Sequence, residues 1–486
     1  MSNAAPDEAG WPTETPPDRC GHPGIAWCVI LVVAGFIIWR QAARDPQQND
    51  ANGTRVVATL ANWQARYLVG AAKTFDQPNG QQFADAARTD NGTIEQRLAN
   101  VVVIGEISGP EAAIQKLKQV EEVLTVNEGQ DSDWAAAALH KVYDDRIDKQ
   151  TTLPSVDETE RRRLVERLGW SGELALHPAG SPDTAVRDAL LADARRTFIG
   201  SIVMISVLGC AALAGFAVLV ALCVALVVRP KSSSVSTTLS SKPAPHTGIY
   251  AETFALWMML HVAFSYLAAW LPVNEHHFLL MAAFMFAGLA ALAWPIFRGV
   301  AWSVVRDDLG LNLGRRPLVE MLLGPVAYLT AMPLLVVGVL AVVALMSMQS
   351  WLLGDVGGEL SSGQLPSHPI VGWLLEADWW HRLQIIFLAS VMAPLVEETM
   401  FRGALYLQLR AATARFGYAG SVVVSALVVS FVFAAIHPQG LITVPALMAL
   451  AIAFTLAREW RGTLLPAMLA HGLNNFLVTC ALLSLS

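Results

Sequence analysis

Apolar residues in this chain are concentrated in long uninterrupted runs, most of them after residue 197, while polar residues dominate a long segment near the N-terminus. A run of about 20 apolar residues is long enough for a helix to cross the hydrocarbon core of a bilayer. The pattern therefore predicts nine membrane spans, at residues 25–39, 198–228, 255–271, 278–297, 321–348, 385–407, 418–436, 441–457 and 464–485.

The segment 41–196 has a different character, with 24 acidic and 18 basic residues and no apolar run long enough to span. Its apolar residues recur at every third or fourth position, which is typical of amphipathic helices in a water-facing domain. Asp157 or Thr159 is expected to cap one of these helices. The run "VVVIGEIS" at 101–108 also fits a strand, so a small α/β element stays open. No catalytic group of residues is evident in this segment.

These patterns divide the chain into a polar tail (1–24), an uncleaved transmembrane anchor (25–39), the water-facing domain (41–196), one further span (198–228), a Ser/Thr/Pro-rich linker (229–248) and a membrane core (249–486). The predicted fold class is an all-α polytopic membrane protein, with an N-terminal anchor and a mainly helical water-facing domain.

Composition supports this class. Only 15% of the residues are charged, a smaller fraction than soluble chains usually have, and the mean hydropathy is positive, at +0.44. A net charge of −7 gives no sign of a nucleic-acid partner. The apolar composition makes the lipid bilayer the expected surroundings. The five cysteines have no regular spacing, which argues against a disulfide framework or a cysteine metal site.

Lys and Arg alternate between the loops of the membrane core. The loops after residues 228, 297, 407 and 457 are basic, whereas the intervening loops carry almost no Lys or Arg. Basic loops face the cytoplasm in most membrane proteins. We therefore expect the basic loops in the cytoplasm and the 41–196 domain extracytoplasmic, although basic residues flanking that domain favour the opposite orientation weakly. The expected location is a bacterial cytoplasmic (inner) membrane.

The stretch "LVEETMFRGALY" at 395–406 places three charges inside a predicted span, where each is costly. Glu398 and Arg402 are four residues apart and share one helix face, in the order that favours an ion pair. Glu397 is rotated by about 100° around the helix axis, away from that pair. It is therefore a candidate functional residue, unless the three charges serve only to fix helix packing.

Two later segments offer groups that Glu397 could face. In "SFVFAAIHPQG", Phe433 and His437 are four residues apart, and in "AMLAHGLNNF", His471 and Asn475 are four apart. A glutamate and imidazoles can hold and deprotonate a water, while an amide and an imidazole can stabilise an oxyanion. A third intramembrane histidine, His261, fits a hydrogen-bonded core residue.

In this order, the motifs EExxxR (Glu397, Glu398, Arg402), FxxxH (Phe433, His437) and HxxxN (His471, Asn475) resemble those of the CPBP family. This family contains intramembrane proteases related to the CAAX prenyl endopeptidase and to bacterial abortive-infection proteins. The segments "FRG" and "RGTLLPAMLAHGLNN" also look like family sequences. The resemblance covers roughly residues 381–486 and, more loosely, the spans from residue 255. It does not reach the first 250 residues.

The resemblance implies an intramembrane endopeptidase acting on a membrane-associated protein or peptide. Glu397 would be the general base that activates water, His437 would share that water, and His471 with Asn475 would stabilise the oxyanion. Glu398, Arg402 and Phe433 would position these groups without contacting the substrate. Family members are described both as metalloproteases and as metal-independent proteases. Glu397, His437 and His471 could therefore hold a divalent metal such as zinc, although the one-helix H-E-x-x-H spacing is absent.

The span count places His437 near the external end of its helix and His471 two turns from the cytoplasmic end of its own. A shared site therefore requires either that "HPQGLITVP" is a broken or re-entrant segment, or that the span boundaries differ.

Two other function classes stay open. An ion-coupled transporter would use Glu397 and the histidines as a proton or cation relay, but the sequence has no inverted repeat and its ionisable candidates cluster in the last third. A catalytically silent scaffold or immunity protein is the other alternative, and the intact motifs argue against it.

Overall fold

The structure is a computed structural model, which describes residues 21–43, 46–75, 80–88, 93–127, 133–148, 155–181, 183–228, 246–270, 274–352 and 369–485. Every regular element in these ranges is helical, which confirms the all-α polytopic class. Most of the predicted tail (1–24) and linker (229–248) lies outside the described residues. The α-helices are α1 (Pro23–Ala42), α2 (Pro46–Thr74), α3 (Gln81–Ala86), α4 (Ile94–Ser108), α5 (Pro110–Asn127), α6 (Trp134–Asp148), α7 (Glu158–Leu168), α8 (Trp170–Leu176), α9 (Thr184–Val228), α10 (Thr247–Ala269), α11 (His277–Ala287), α12 (Ala293–Phe297), α13 (Trp302–Leu309), α14 (Pro317–Leu352), α15 (Pro369–Glu376), α16 (Trp379–Phe387), α17 (Ala393–Glu398), α18 (Tyr406–Ala412), α19 (Gly417–Ala435), α20 (Val444–Arg461) and α21 (Leu465–Leu485).

The chain forms two compact units. The described residues of 1–43, 211–343 and 376–480 make up the first, and those of 44–210, 344–375 and 481–486 the second. The boundary near residue 210 falls inside the long helix α9. The first unit contains the motif residues, and the second contains the water-facing segment.

The water-facing segment is a helical bundle around one apolar core built from α2 and α4 to α8. Asp157 caps α7 in a reciprocal capping box with Glu160, which confirms one of the two predicted caps. The strand considered at 101–108 is wrong, because these residues lie inside α4. Thr93 and Gln96 form a capping box that starts this helix, and the β-branched run is then buried within it.

Nine helices of the described chain are long and apolar enough to cross a membrane, as predicted. They are Pro23–Ala42, Thr184–Ala221, Thr247–Ala269, His277–Phe297, Pro317–Gln349, Trp379–Ala412, Ala414–Ala435, Leu441–Arg461 and Leu465–Leu483. The protein is therefore an integral membrane protein. The span predicted at 278–297 has a 3-10 segment at Gly288–Leu292 between α11 and α12.

The span that carries the two glutamates is not a regular α-helix. It runs from Trp379 to Ala412 and contains two π-helical segments, Leu388–Met392 and Thr399–Leu405, on either side of α17. Such π-segments inside α-helices are frequent at functional sites. Glu397 and Glu398 therefore lie between two local widenings of one helix.

The first unit has two apolar cores, and only the first of them includes residues of this span. One core joins α1, α10, α19 and the span itself around Tyr250, Phe254 and Phe401. The other joins α14, α20 and α21. Helix α1 packs on α10, and Trp27 donates from Nε1 to Oε1 of Gln408 at 3.2 Å.

Candidate active site

Glu398 lies at the centre of a buried polar cluster. Its Oε1 accepts a hydrogen bond from Nη1 of Arg402 at 3.0 Å and another from Nδ1 of His471 at 2.8 Å. The Glu398 and Arg402 side chains are 0% exposed. The (i, i+4) ion pair is as the sequence predicts, and one carboxylate oxygen also fixes the imidazole of a residue 73 positions later in the chain.

Arg402 is enclosed by aromatic rings. Its guanidinium lies 4.5 Å from the ring centroid of Phe433 and 5.8 Å from that of Phe454, and Nη2 donates to the carbonyl oxygen of Ala451 at 3.3 Å. Cation–π contacts of this kind strengthen when water is excluded. Phe433 of the FxxxH motif therefore packs against the cation that neutralises Glu398.

Glu397 points away from Arg402 and reaches the other side of the same imidazole. Its Oε2 lies 3.8 Å from Nε2 of His471, too far for a direct hydrogen bond but close enough for one water to contact both. Its side chain is 16% exposed, unlike that of Glu398. His471 is thus held by one glutamate through Nδ1 and faces the second through Nε2.

His437 comes to the same cluster despite the depth difference that the sequence suggests. Its ring centroid lies 4.2 Å from that of Phe433, and the His471 ring lies 6.0 Å from the same phenyl ring. Nδ1 of His437 donates to the Phe433 carbonyl oxygen at 2.6 Å, which leaves Nε2 for another partner. The chain turns immediately after α19 and forms a 3-10 segment at Leu441–Thr443, so "HPQGLITVP" is a broken segment.

Asn475 stabilises the first π-segment. The backbone N–H of Ala393 donates to the carbonyl oxygen of Leu388 five residues earlier, and Pro394 has no N–H to offer to the carbonyl of Ala389. Nδ2 of Asn475 donates to that Ala389 oxygen at 2.8 Å. A side chain of the HxxxN motif therefore satisfies a carbonyl that Pro394 leaves without its helical donor.

A glycine lets the two elements approach this closely. A Cβ atom on Gly472 would lie 2.5 Å from the carbonyl oxygen of Ser390, a distance that real Cβ atoms do not show. The residue after His471 must therefore lack a side chain for α21 to pack on the π-segment. This contact sets the distance between His471 and the glutamates.

The proposed zinc ligands do not form a metal site in this structure. Among the described residues, no three His, Cys, Asp or Glu side chains converge closely enough to hold a metal ion. The Nδ1 atoms of His437 and His471 are both engaged, and Nε2 of His471 lies 3.8 Å from Oε2 of Glu397. The metalloprotease alternative is therefore not supported.

Sequence inspection missed several residues of the site. His261 of α10 is half-buried and lies within electrostatic range of both Glu397 and His437, so it belongs to the surroundings of the site. Phe454 stacks on His471 with centroids 5.5 Å apart. Pro394, three residues before Glu397, was the available signal for an irregular helix, whereas nothing local to His261 or Phe454 indicates these contacts.

A comparison with protein families matches residues 379–477 to the family described as type II CAAX prenyl endopeptidase Rce1-like. This range contains the irregular span, α19, α20 and most of α21, and hence every motif residue. Comparisons with curated proteins and with solved structures gave no match. Residues 379–477, about a fifth of the chain, are therefore similar to the CPBP/CAAX protease family of membrane proteins.

Proposed function

We propose that this protein is an intramembrane endopeptidase that hydrolyses a peptide bond of a membrane-associated protein. The observation that carries the proposal is the pair of glutamates on opposite sides of His471, one fully buried against Arg402 and the other partly exposed. A packing cluster needs only the first glutamate. The second, facing an oriented imidazole across 3.8 Å, has the arrangement of a general base.

The charges of the cluster support a role in proton transfer. Glu397, Glu398 and Arg402 together carry one excess negative charge, which is costly in a buried site. One proton held by Glu397 or by His471 removes this excess. Because Arg402 and Glu398 already neutralise each other, that proton is the one that can be exchanged with water and substrate.

The proposed reaction begins with a water that is hydrogen-bonded to Glu397. The water oxygen attacks the scissile carbonyl carbon while Glu397 takes its proton, and the carbonyl π electrons move to oxygen. Collapse of the tetrahedral intermediate breaks the C–N bond, and Glu397 returns the proton to the departing amine. One water is consumed, and the products are a new carboxylate and a new amine.

The other motif residues have supporting roles in this proposal. His437, with Nε2 available, shares the attacking water. His471 with Nδ1 fixed by Glu398, and Asn475 with its second Nδ2 hydrogen, stabilise the oxyanion. Glu398 positions His471, Arg402 neutralises Glu398, and Phe433 covers Arg402.

The family description names a prenyl endopeptidase, which supports a substrate anchored at the membrane. The site belongs to helices long enough to span the bilayer, so the scissile bond must enter the membrane region rather than approach from bulk water. We propose further that the protein resides in a bacterial inner membrane with the water-facing segment outside the cytoplasm.

The test is a mass-spectrometric comparison of protein N-termini in membranes from cells that express the wild type or Glu397→Ala at equal abundance. New N-termini that require Glu397 would support proteolysis and name the substrate. As a matched control, Glu320→Ala removes another buried glutamate, which pairs with Arg461, and should leave the pattern of termini unchanged in the folded protein. Identical termini with wild type and Glu397→Ala would contradict the proposal.

A further inference from the structure

The water-facing unit contains a pocket that no motif of the family covers. It has a volume of about 490 Å³ and lies between α2, α4, α6, the start of α9 and the segment that precedes α9. This volume is within the range of small-molecule sites, roughly 300–1,000 Å³. The lining residues on which its chemistry depends are Lys73, Glu106, Arg146 and Arg187.

Three cations and one carboxylate line this pocket. Lys73 Nζ lies 2.8 Å and Arg187 Nη2 lies 2.5 Å from the same Oε1 of Glu106. Arg146 is not part of this ion pair, because its Nη2 donates to the carbonyl oxygen of Ala175. Glu106 therefore compensates at most one of the three positive charges, and two remain in excess.

Arg146 has the least compensated of these charges. Its Nε is buried and has no hydrogen-bond partner among the described residues, and its guanidinium lies 4.8 Å from the ring centroid of Tyr143. Burial lowers the pKa of Arg146 most, and the nearby charge of Arg187 lowers it further, whereas Tyr143 and Glu106 raise it. A guanidinium stays protonated at neutral pH, so an anion beside it would offset the cost of its burial.

The positive charge of this pocket contrasts with the acidic segment around it. Residues 41–196 carry six more acidic than basic groups, so the domain as a whole repels anions. Arginine and lysine side chains directed at one cavity are the usual means of binding carboxylates and phosphates, because their N–H groups form charge-assisted hydrogen bonds.

We propose that this pocket of the water-facing unit binds a small solute that carries phosphate or carboxylate groups, with Arg146, Arg187 and Lys73 as its cationic contacts. The excess of two positive charges favours a dianion over a monoanion. The proposal is independent of the protease site and depends only on residues of the second unit.

The experiment is isothermal titration calorimetry of the purified full-length protein in lipid nanodiscs, with inorganic phosphate and with citrate as the two probes. Ionic strength is held constant with sodium chloride, since screening weakens exposed charge interactions. Preference for phosphate or for citrate assigns the ligand group, and saturable binding of one of them is the expected result.

Arg146→Gln is the main variant, because it removes a cation that takes no part in the Glu106 ion pair. Loss of a charge-assisted contact should weaken binding by at least about 10-fold. Arg162→Gln is the control, since Arg162 is exposed on the same unit and pairs with Glu166 at 3.7 Å. Its affinity should equal that of the wild type.

A second variant keeps the test decisive if Arg146→Gln does not fold. Ala179→Trp adds bulk at an exposed lining position without removing a charge, and it should also abolish binding. Failure of both phosphate and citrate to bind the wild type overturns the proposal. Equal affinity of the wild type, Arg146→Gln and Ala179→Trp overturns it as well, because binding would then occur elsewhere.

Discussion

Glu398 should be essential for stability as well as for activity, and Glu398→Gln tests this. The substitution removes the negative charge opposite Arg402, while the side chain keeps its size and one acceptor oxygen. Both partners are fully buried, so Arg402 would lose the carboxylate that is directly paired with it. Removing one partner of a buried ion pair costs about 3–5 kcal/mol, and we expect about 3 kcal/mol because the amide oxygen still accepts a hydrogen bond.

The measurement is the free energy of unfolding of the purified protein in mixed micelles with increasing dodecyl sulfate, followed by circular dichroism. Asp307→Asn is the control in the same unit, because Asp307 is 65% exposed and lies 3.8 Å from Arg306. Exposed pairs of this kind contribute at most about 1 kcal/mol, so this variant should unfold close to the wild type.

A double variant separates the two roles of Glu398. In Glu398→Gln/Arg402→Met the buried charge is removed together with its partner, and such replacements are often neutral in stability. We expect at least half of the lost unfolding free energy to return, while proteolysis stays absent because His471 no longer has its carboxylate. A Glu398→Gln protein as stable as the wild type, or a double variant no more stable than Glu398→Gln, would refute this reasoning.

Three further predictions concern packing, titration and capping. Gly472→Ala places a Cβ 2.5 Å from the Ser390 carbonyl oxygen. It should lower the free energy of unfolding by about 1–3 kcal/mol in the unfolding assay, and it should reduce the proteolytic rate measured by product formation. Burial raises the pKa of Tyr143 to about 12, so the unfolded chain loses this proton at lower pH than the folded protein. The free energy of unfolding should therefore fall by about 2–3 kcal/mol between pH 10 and 12. Tyr143→Phe should abolish this part of the pH dependence in alkaline unfolding titrations. Asp157→Ala removes the cap of α7 and should cost about 1 kcal/mol by the same unfolding assay, whereas Thr159→Ala should cost less.

Local rules account for the parts of this fold that the sequence predicts. Nine apolar runs become nine apolar helices in the described part of the chain, because each is long enough to satisfy its own backbone within the bilayer. The Glu398–Arg402 pair follows from helical spacing alone. Asp157 caps α7 for an equally local reason, since its side chain meets an N–H three residues later.

The strand considered at 101–108 shows where local preference fails. β-Branched residues favour strands weakly, but Val101, Val102 and Val103 are buried on α4 against neighbouring helices, and tertiary packing decides the conformation. The capping box at Thr93 gives the competing signal that a helix has already begun upstream.

The assembled site depends on contacts between distant residues, which spacing cannot give. The bond from His471 to Glu398 joins positions 73 apart, and the bond from Asn475 to the Ala389 carbonyl joins positions 86 apart. Pro394 and the close approach of Gly472 to Ser390 both lie at the first π-segment, where Asn475 binds the Ala389 carbonyl. The depth conflict for His437 disappears because the chain breaks directly after α19.

The central claim is that Glu397 activates water for peptide hydrolysis, and a solvent isotope experiment tests it most directly. Membranes containing the wild type or Glu397→Gln at equal abundance are incubated in water enriched in oxygen-18, and new protein C-termini are analysed by mass spectrometry. We expect singly labelled C-termini with the wild type and a loss on the order of 100-fold or more with Glu397→Gln. Equal amounts of labelled termini from both proteins would contradict the role assigned to Glu397.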